Sequence, residues 1–164
     1  MGSLRKDLEK LYDEQEGRLF VCALAITRCP AAAEDAVHDA FRRLLSLDRR
    51  PRDVKTYAFQ CVRNAAIDMR RRDGREERAS AGFIFDPRDP GEQAGDREFC
   101  ERAAAMLLDL SDGEREVIVG HLYAGLTFRE IAEIRGDSAN TVASWYRRGL
   151  EKLRRQLENH DGQL

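Results

Sequence analysis

Leu4, Leu8, Leu11 and Tyr12 fall on one stripe at helical spacing, and Leu19, Phe20, Ala23 and Ile26 continue it. The pattern predicts helix from Leu4 to about Arg28, with Gly17 as a candidate break between two helices. Pro30 suits the first turn of the next helix, whose apolar positions are Ala33, Val37, Ala40, Phe41, Leu44 and Leu45. That helix should end near Leu47, before the polar run of residues 48–52. Asp53 is a candidate N-cap for a further helix reaching about Arg72. Its apolar face would be Val54, Tyr57, Ala58, Cys61, Val62, Ala65 and Met69.

Periodicity fades over residues 74–97, which hold several glycines and prolines and one apolar patch, Phe83-Ile84-Phe85. A stretch this long without a pattern reads as a linker. A second helical set begins at Glu98. Ser111-Asp112-Gly113-Glu114 and Thr127-Phe128-Arg129-Glu130 are both capping boxes, opening helices to about Tyr123 and about Ile134. Ala124-Gly125-Leu126 and Arg135-Gly136-Asp137 turn the chain, and Ser138 caps a last helix to about Leu157, with Val142 and Leu150 facing its core. A short helix, a tight glycine turn and a long helix make a helix-turn-helix. The expected fold is all-α: two small helical domains, 1–73 and 98–164, joined by a flexible linker at 74–97.

Charge sharpens this picture. The 164 residues sum to only −2, but residues 42–78 carry +6 and residues 139–156 carry +4, while 79–101 carry −4 and 102–138 carry −3. Two basic islands in an acidic chain suit binding to phosphate, with neighbouring acidic stretches able to compete for the same cations. The cysteines, Cys22, Cys29, Cys61 and Cys100, lack C-x-x-C spacing, and with three histidines no metal set is visible. They read as reduced thiols of a cytoplasmic protein. No signal peptide or apolar run of membrane-spanning length is present, so membrane insertion is not expected. No P-loop, H-E-x-x-H or G-x-S-x-G pattern occurs, so neither a catalytic centre nor a cofactor is expected.

Two constellations carry chemistry. Helix 53–72 presents Lys55, Tyr57, Phe59, Arg63 and Asn64 and ends in Arg70-Arg71-Arg72, a mixture of cations and rings suited to the phosphates and unpaired bases of single-stranded DNA. Packing in the core is the competing reading of Tyr57. The last helix opens with Ser138, Asn140, Thr141 and Ser144, followed by Trp145, Arg147 and Arg148. A recognition helix places such N-terminal side chains at base edges and its cations at phosphates. Trp145 as a core residue is the alternative.

These residues resemble the extracytoplasmic-function sigma factors, the minimal two-domain class of the bacterial sigma-seventy family. The likeness covers roughly residues 8–73 and 99–157. Ala33-Glu34-Asp35-Ala36-Val37-His38-Asp39-Ala40-Phe41 is similar to the helix by which the family docks on the polymerase clamp. Arg63-Asn64-Ala65-Ala66-Ile67-Asp68 and the arginines after it are similar to the helix that captures the minus-ten element, and Leu110 to Arg155 to the region that binds the minus-thirty-five element. His38 stands where Gln is frequent, Arg135 and Asp137 where apolar residues are usual, and Ala143 and Trp145 where Lys and Arg are common. The resemblance implies a factor that binds core RNA polymerase (clamp and flap), recognises promoter DNA and promotes its opening. It implies Asp35, His38, Asp39, Phe41 and Arg42 as polymerase contacts, and an anti-sigma protein as a further partner. Two other readings stay open: a helix-turn-helix regulator that never touches polymerase, and a sigma mimic that only binds an anti-sigma protein.

Overall fold

The computed structural model describes residues 2–72 and 102–162, and every regular element among them is helical. The linker assigned to 74–97, its Phe83-Ile84-Phe85 patch and Cys100 lie outside the described residues.

The first helix, α1 (Gly2–Thr27), is continuous. Gly17, expected as a break, sits in its middle with open space around it. An interior glycine costs a helix about 1 kcal/mol. Burial of Leu8, Leu19, Phe20, Ala23 and Leu24 along the same helix outweighs that. The helix stops at Arg28, which takes a left-handed backbone (φ 56°). Helix α2 (Pro30–Leu45) starts on Pro30 and buries Ala33, Ala36, Val37, Ala40, Phe41 and Leu44. Helix α3 (Val54–Arg72) is capped as expected. Asp53 accepts hydrogen bonds from the Thr56 amide at 3.0 Å and from the Thr56 hydroxyl at 2.7 Å. These bonds hold the Asp53 carboxyl below its ordinary range. The three helices pack on one another, with Ala58, Phe59, Val62, Ala65 and Ala66 as the contribution of α3 to the core.

Residues 102–108 form α4, and Ser111 and Glu114 cap α5 (Asp112–Ile118) reciprocally. The helix then widens into one π-helical turn, Val119–Tyr123, where the Ala124 amide reaches back five residues to the Val119 carbonyl at 3.1 Å. Gly125 (φ 68°) turns the chain. Thr127 and Glu130 form the second capping box, opening α6 (Phe128–Arg135). Gly136 (φ 73°) supplies the left-handed residue of the helix-turn-helix, and Ser138 caps α7 (Ala139–Asp161) by accepting from the Thr141 amide at 3.1 Å. Val142 is fully buried as expected, but Leu150 is 38% exposed. The inward position is Gly149, where α7 lies so close to α5 that a Cβ would come within 2.9 Å of Ile118 Cγ1.

The two halves touch. Helix α1 packs on α5, and α3 packs on α6. Cys22, Ile26 and Phe59 face Gly120, Leu126 and Ile131 across a small cavity. Arg115, fully buried, reaches out of α5 to donate to the Ala25 carbonyl near the end of α1 at 2.8 Å and to the Leu110 carbonyl at 3.1 Å. A helix C-terminus carries unpaired carbonyls and partial negative charge, so a guanidinium there is doubly favoured.

Candidate functional site

On α3 the structure separates what the sequence had grouped. Asn64, Arg71 and Arg72 are exposed, and Tyr57 is 36% exposed, so Tyr57 is not a core residue. Phe59 is the reverse: it is buried in the core at the seam between the halves and presents no ring to solvent. Lys55, Arg63 and Arg70 lie at spacings of eight and seven residues, one stripe of the helix. Each meets a carboxylate from the other half. Lys55 Nζ is 3.8 Å from Glu130 Oε2, Arg63 Nε donates to Glu116 Oε1, and Arg70 donates to Asp112 Oδ2 at 3.0 Å. Glu116 also accepts from Arg135. Asp112 accepts from Arg115 at 2.5 Å and from Arg28 at 3.4 Å. Burial raises the Asp112 carboxyl, but the Arg115 and Arg70 guanidiniums outweigh it and leave the group below its ordinary value. Burial, with the charge of Glu116, pushes the Cys22 thiol up to about 12, and burial also raises Cys61, so both thiols stay protonated and serve packing.

On α2, Asp35, His38 and Arg42 are exposed, and Asp39 is partly exposed and pairs with Arg43 at 3.1 Å. Phe41 is buried edge-on against Tyr12, ring centroids 5.0 Å apart. It anchors this face from within and does not reach a surface partner.

The start of α7 is open. Ser138, Asn140, Thr141, Arg147 and Arg148 are exposed, and Ser144 is partly so. Trp145 is held differently. Its ring lies on Gly113 of α5, where a Cβ would come within 3.0 Å, and the Arg148 guanidinium stacks over it, 4.6 Å from a ring centroid. Trp145 is thus half-buried, packed on α5 and covered in part by Arg148. Behind it His121, Phe128 and Tyr146 form an aromatic cluster, with ring centroids 4.7–5.1 Å apart, that ties α6 to α7. Sequence reasoning did not find Glu116, Asp112 or Arg115. Their partners in the other half are 42 to 90 residues away, and no local pattern marks such pairs.

A three-helix N-terminal unit with a basic helix, followed by a helix-turn-helix whose recognition helix has an open polar start, defines a two-part DNA-binding factor. The chain matches two regions of one family: residues 11–76 match sigma-70 region 2 and residues 100–153 match sigma-70 region 4. It belongs to the sigma-70 family, and it is a sigma factor of the extracytoplasmic-function type, serving transcription initiation. Over 158 residues it is 25% identical to the ECF RNA polymerase sigma factor SigK of Mycolicibacterium vanbaalenii, covering 89% of this chain and 79% of that one. Its fold is similar to CnrH, solved in complex with the cytosolic domain of CnrY (TM-score 0.70, 22% identity, 94% of this chain and 90% of that). It is also similar to the sigma factor RpoE, solved with the anti-sigma factor NepR from Bartonella quintana (TM-score 0.71, 22% identity, 96% and 98%).

Proposed function

We propose that this sigma factor binds core RNA polymerase through the exposed face of α2 and grips a promoter at two places, each with its own basic helix. Residues 1–73 and 98–164 act as the two domains and 74–97 as the tether between them. Asp35, His38, Asp39 and Arg42 form the clamp contact, with Phe41 supporting the helix beneath them. Lys55, Tyr57, Arg63, Asn64 and Arg70 to Arg72 hold the unpaired minus-ten strand, the arginines at phosphates and Tyr57 under a base. Each stacking step lost on melting costs on the order of 1.4 kcal/mol, so several captured bases must act together. Ser138, Asn140, Thr141, Ser144, Arg147 and Arg148 face the minus-thirty-five duplex, where a good bidentate contact discriminates by about 1–3 kcal/mol. Phosphoryl transfer belongs to the polymerase, and the protein acts in the cytoplasm, where the polymerase is. No helix among the described residues is long and apolar enough to cross a membrane. An anti-sigma protein is a further partner, by analogy with the RpoE–NepR complex above.

The observation that carries the proposal is the division of labour on the surface. The end of α3 keeps Arg71 and Arg72 exposed, and the start of α7 keeps its polar side chains exposed, in one chain that also presents the α2 face. A regulator that never touches polymerase would need only α7. The test is reconstitution with core polymerase and runoff transcription on genomic fragments, followed by permanganate footprinting of unpaired thymines. R70A/R71A/R72A should still bind polymerase and lose opening. Unchanged opening removes these arginines from the mechanism.

A further inference from the structure

Val142 and Gly149 are the buried residues of α7, and Trp145 lies between them, half-buried. Its indole rests on α5. A Cβ at Gly113 would meet Cδ2 and Cε2 at 3.0 Å and Cε3 at 3.2 Å, three atoms of the six-membered ring. That base is firm. Gly113 is the second residue of α5, inside the capping box of Ser111 and Glu114, and Lys152 of α7 donates to Glu114 Oε1 at 2.9 Å. Arg148 stands three residues beyond Trp145, on the same face of α7. Its guanidinium carbon lies over the indole, 4.6 Å from a ring centroid, and its Nε donates to the Ser144 carbonyl at 3.4 Å. Arg148 is nevertheless exposed, so the ring holds a cation that still faces solvent.

We infer that Trp145 is a positioning residue, which holds the Arg148 guanidinium in place for upstream DNA without touching the duplex itself. The inference rests on the minus-thirty-five contact proposed for Arg148 above. A free arginine side chain samples many rotamers, and binding must arrest all of them. Stacking on a fixed ring arrests them beforehand. A guanidinium carries its N–H donors in its own plane, so lying over a ring leaves those at its edge for DNA. The attraction comes from the π face, so a phenyl ring can replace the indole in this role and an aliphatic side chain cannot. The same geometry makes upstream binding depend on α5, because a glycine of that helix sets the ring that sets the cation.

The test compares full-length R148A, W145F, W145L and W145L/R148A, each assembled with core polymerase. The probe is a fluorescein-labelled duplex carrying the upstream element of a promoter found by runoff transcription, titrated by anisotropy below the melting temperature of every variant. W145F and W145L both take packing from Gly113 and both lower the urea midpoint, but only W145L removes the π face. R148A is expected to weaken binding about tenfold and W145L about threefold, with W145F within about twofold of the parent chain. The double variant is expected to bind like R148A alone, because the ring acts only through that arginine. Parent affinity in W145L, or equal losses in W145F and W145L, overturns the inference. A further loss in W145L/R148A beyond that of R148A places Trp145 itself on the duplex and also overturns it. Parent affinity in R148A refutes the minus-thirty-five contact on which the inference rests, so the single variant at position 148 tells the two failures apart.

Discussion

Replacing Gly149 by alanine sets two known magnitudes against each other. In the middle of a helix, alanine is better than glycine by about 0.8–1 kcal/mol, so propensity alone favours G149A. The structure opposes it. The new methyl would stand 2.9 Å from Ile118 Cγ1, 3.3 Å from Ile118 Cδ1 and 3.5 Å from Glu114 Cβ. Carbon atoms prefer about 3.5–4.0 Å. Ile118 is 3% exposed and β-branched, so it has little freedom to turn aside, and relief requires α5 and α7 to part. Overpacking of this kind costs about 1–3 kcal/mol, which leaves a net loss of up to about 2 kcal/mol once propensity is subtracted. For a domain of this size that lowers Tm by up to about 16 °C. The assay is built into the chain: Trp145 is its only tryptophan and sits in this α5–α7 contact, so its fluorescence in urea follows the C-terminal half alone. G17A, read by circular dichroism, is the control. Position 17 has open space, so alanine there should stabilise by the propensity term. If G149A stabilises as G17A does, the close approach of α5 and α7 is refuted.

Two further outcomes follow from the surfaces. W145A should lower the urea midpoint, read by circular dichroism, by removing a ring from Gly113. R148A should leave the midpoint almost unchanged and weaken binding to a minus-thirty-five duplex, and the opposite assignment of effects would place Trp145 on the DNA face. D39K/R42E keeps the net charge and, with α2 helical by circular dichroism, should lower affinity for core polymerase in a pull-down. Full affinity would remove this face from the contact.

Local signals in the sequence were reliable where the physics is local. Ser111, Thr127 and Ser138 each cap the helix that their side chains announce, and Gly136 takes the left-handed conformation between α6 and α7. These devices act within three or four residues, so spacing alone exposes them. The misses have a common cause. Gly17 looks like a break by propensity, yet tertiary burial on either side carries the helix through it. Leu150 and Gly149 differ by one position, and which of them turns inward depends on how near α5 comes. Phe59 looks like an exposed ring among charged residues, and only packing shows that it points inward. The basic stripe of α3 was legible as a set of cations, but the carboxylates answering it were not. A pattern of charge gives a chain's capacity for contact, whereas the choice between an internal and an external partner is made in three dimensions.

Arg115 gives the closed seam a place in time. Its acceptor, the Ala25 carbonyl, is made 90 residues before it. At a synthesis rate of about 5–20 residues per second, that interval lasts roughly 5–20 seconds. Helices α1 to α3 draw their core from one another and can assemble within it, on a timescale far shorter than the wait. Throughout that interval the end of α1 has only water for its carbonyl, and the cations of α3 stand uncovered beside the ribosome, itself a body of phosphate. Closure of the seam therefore comes only after α1 to α3 have had time to assemble, and until then the cations of α3 lack their carboxylate partners.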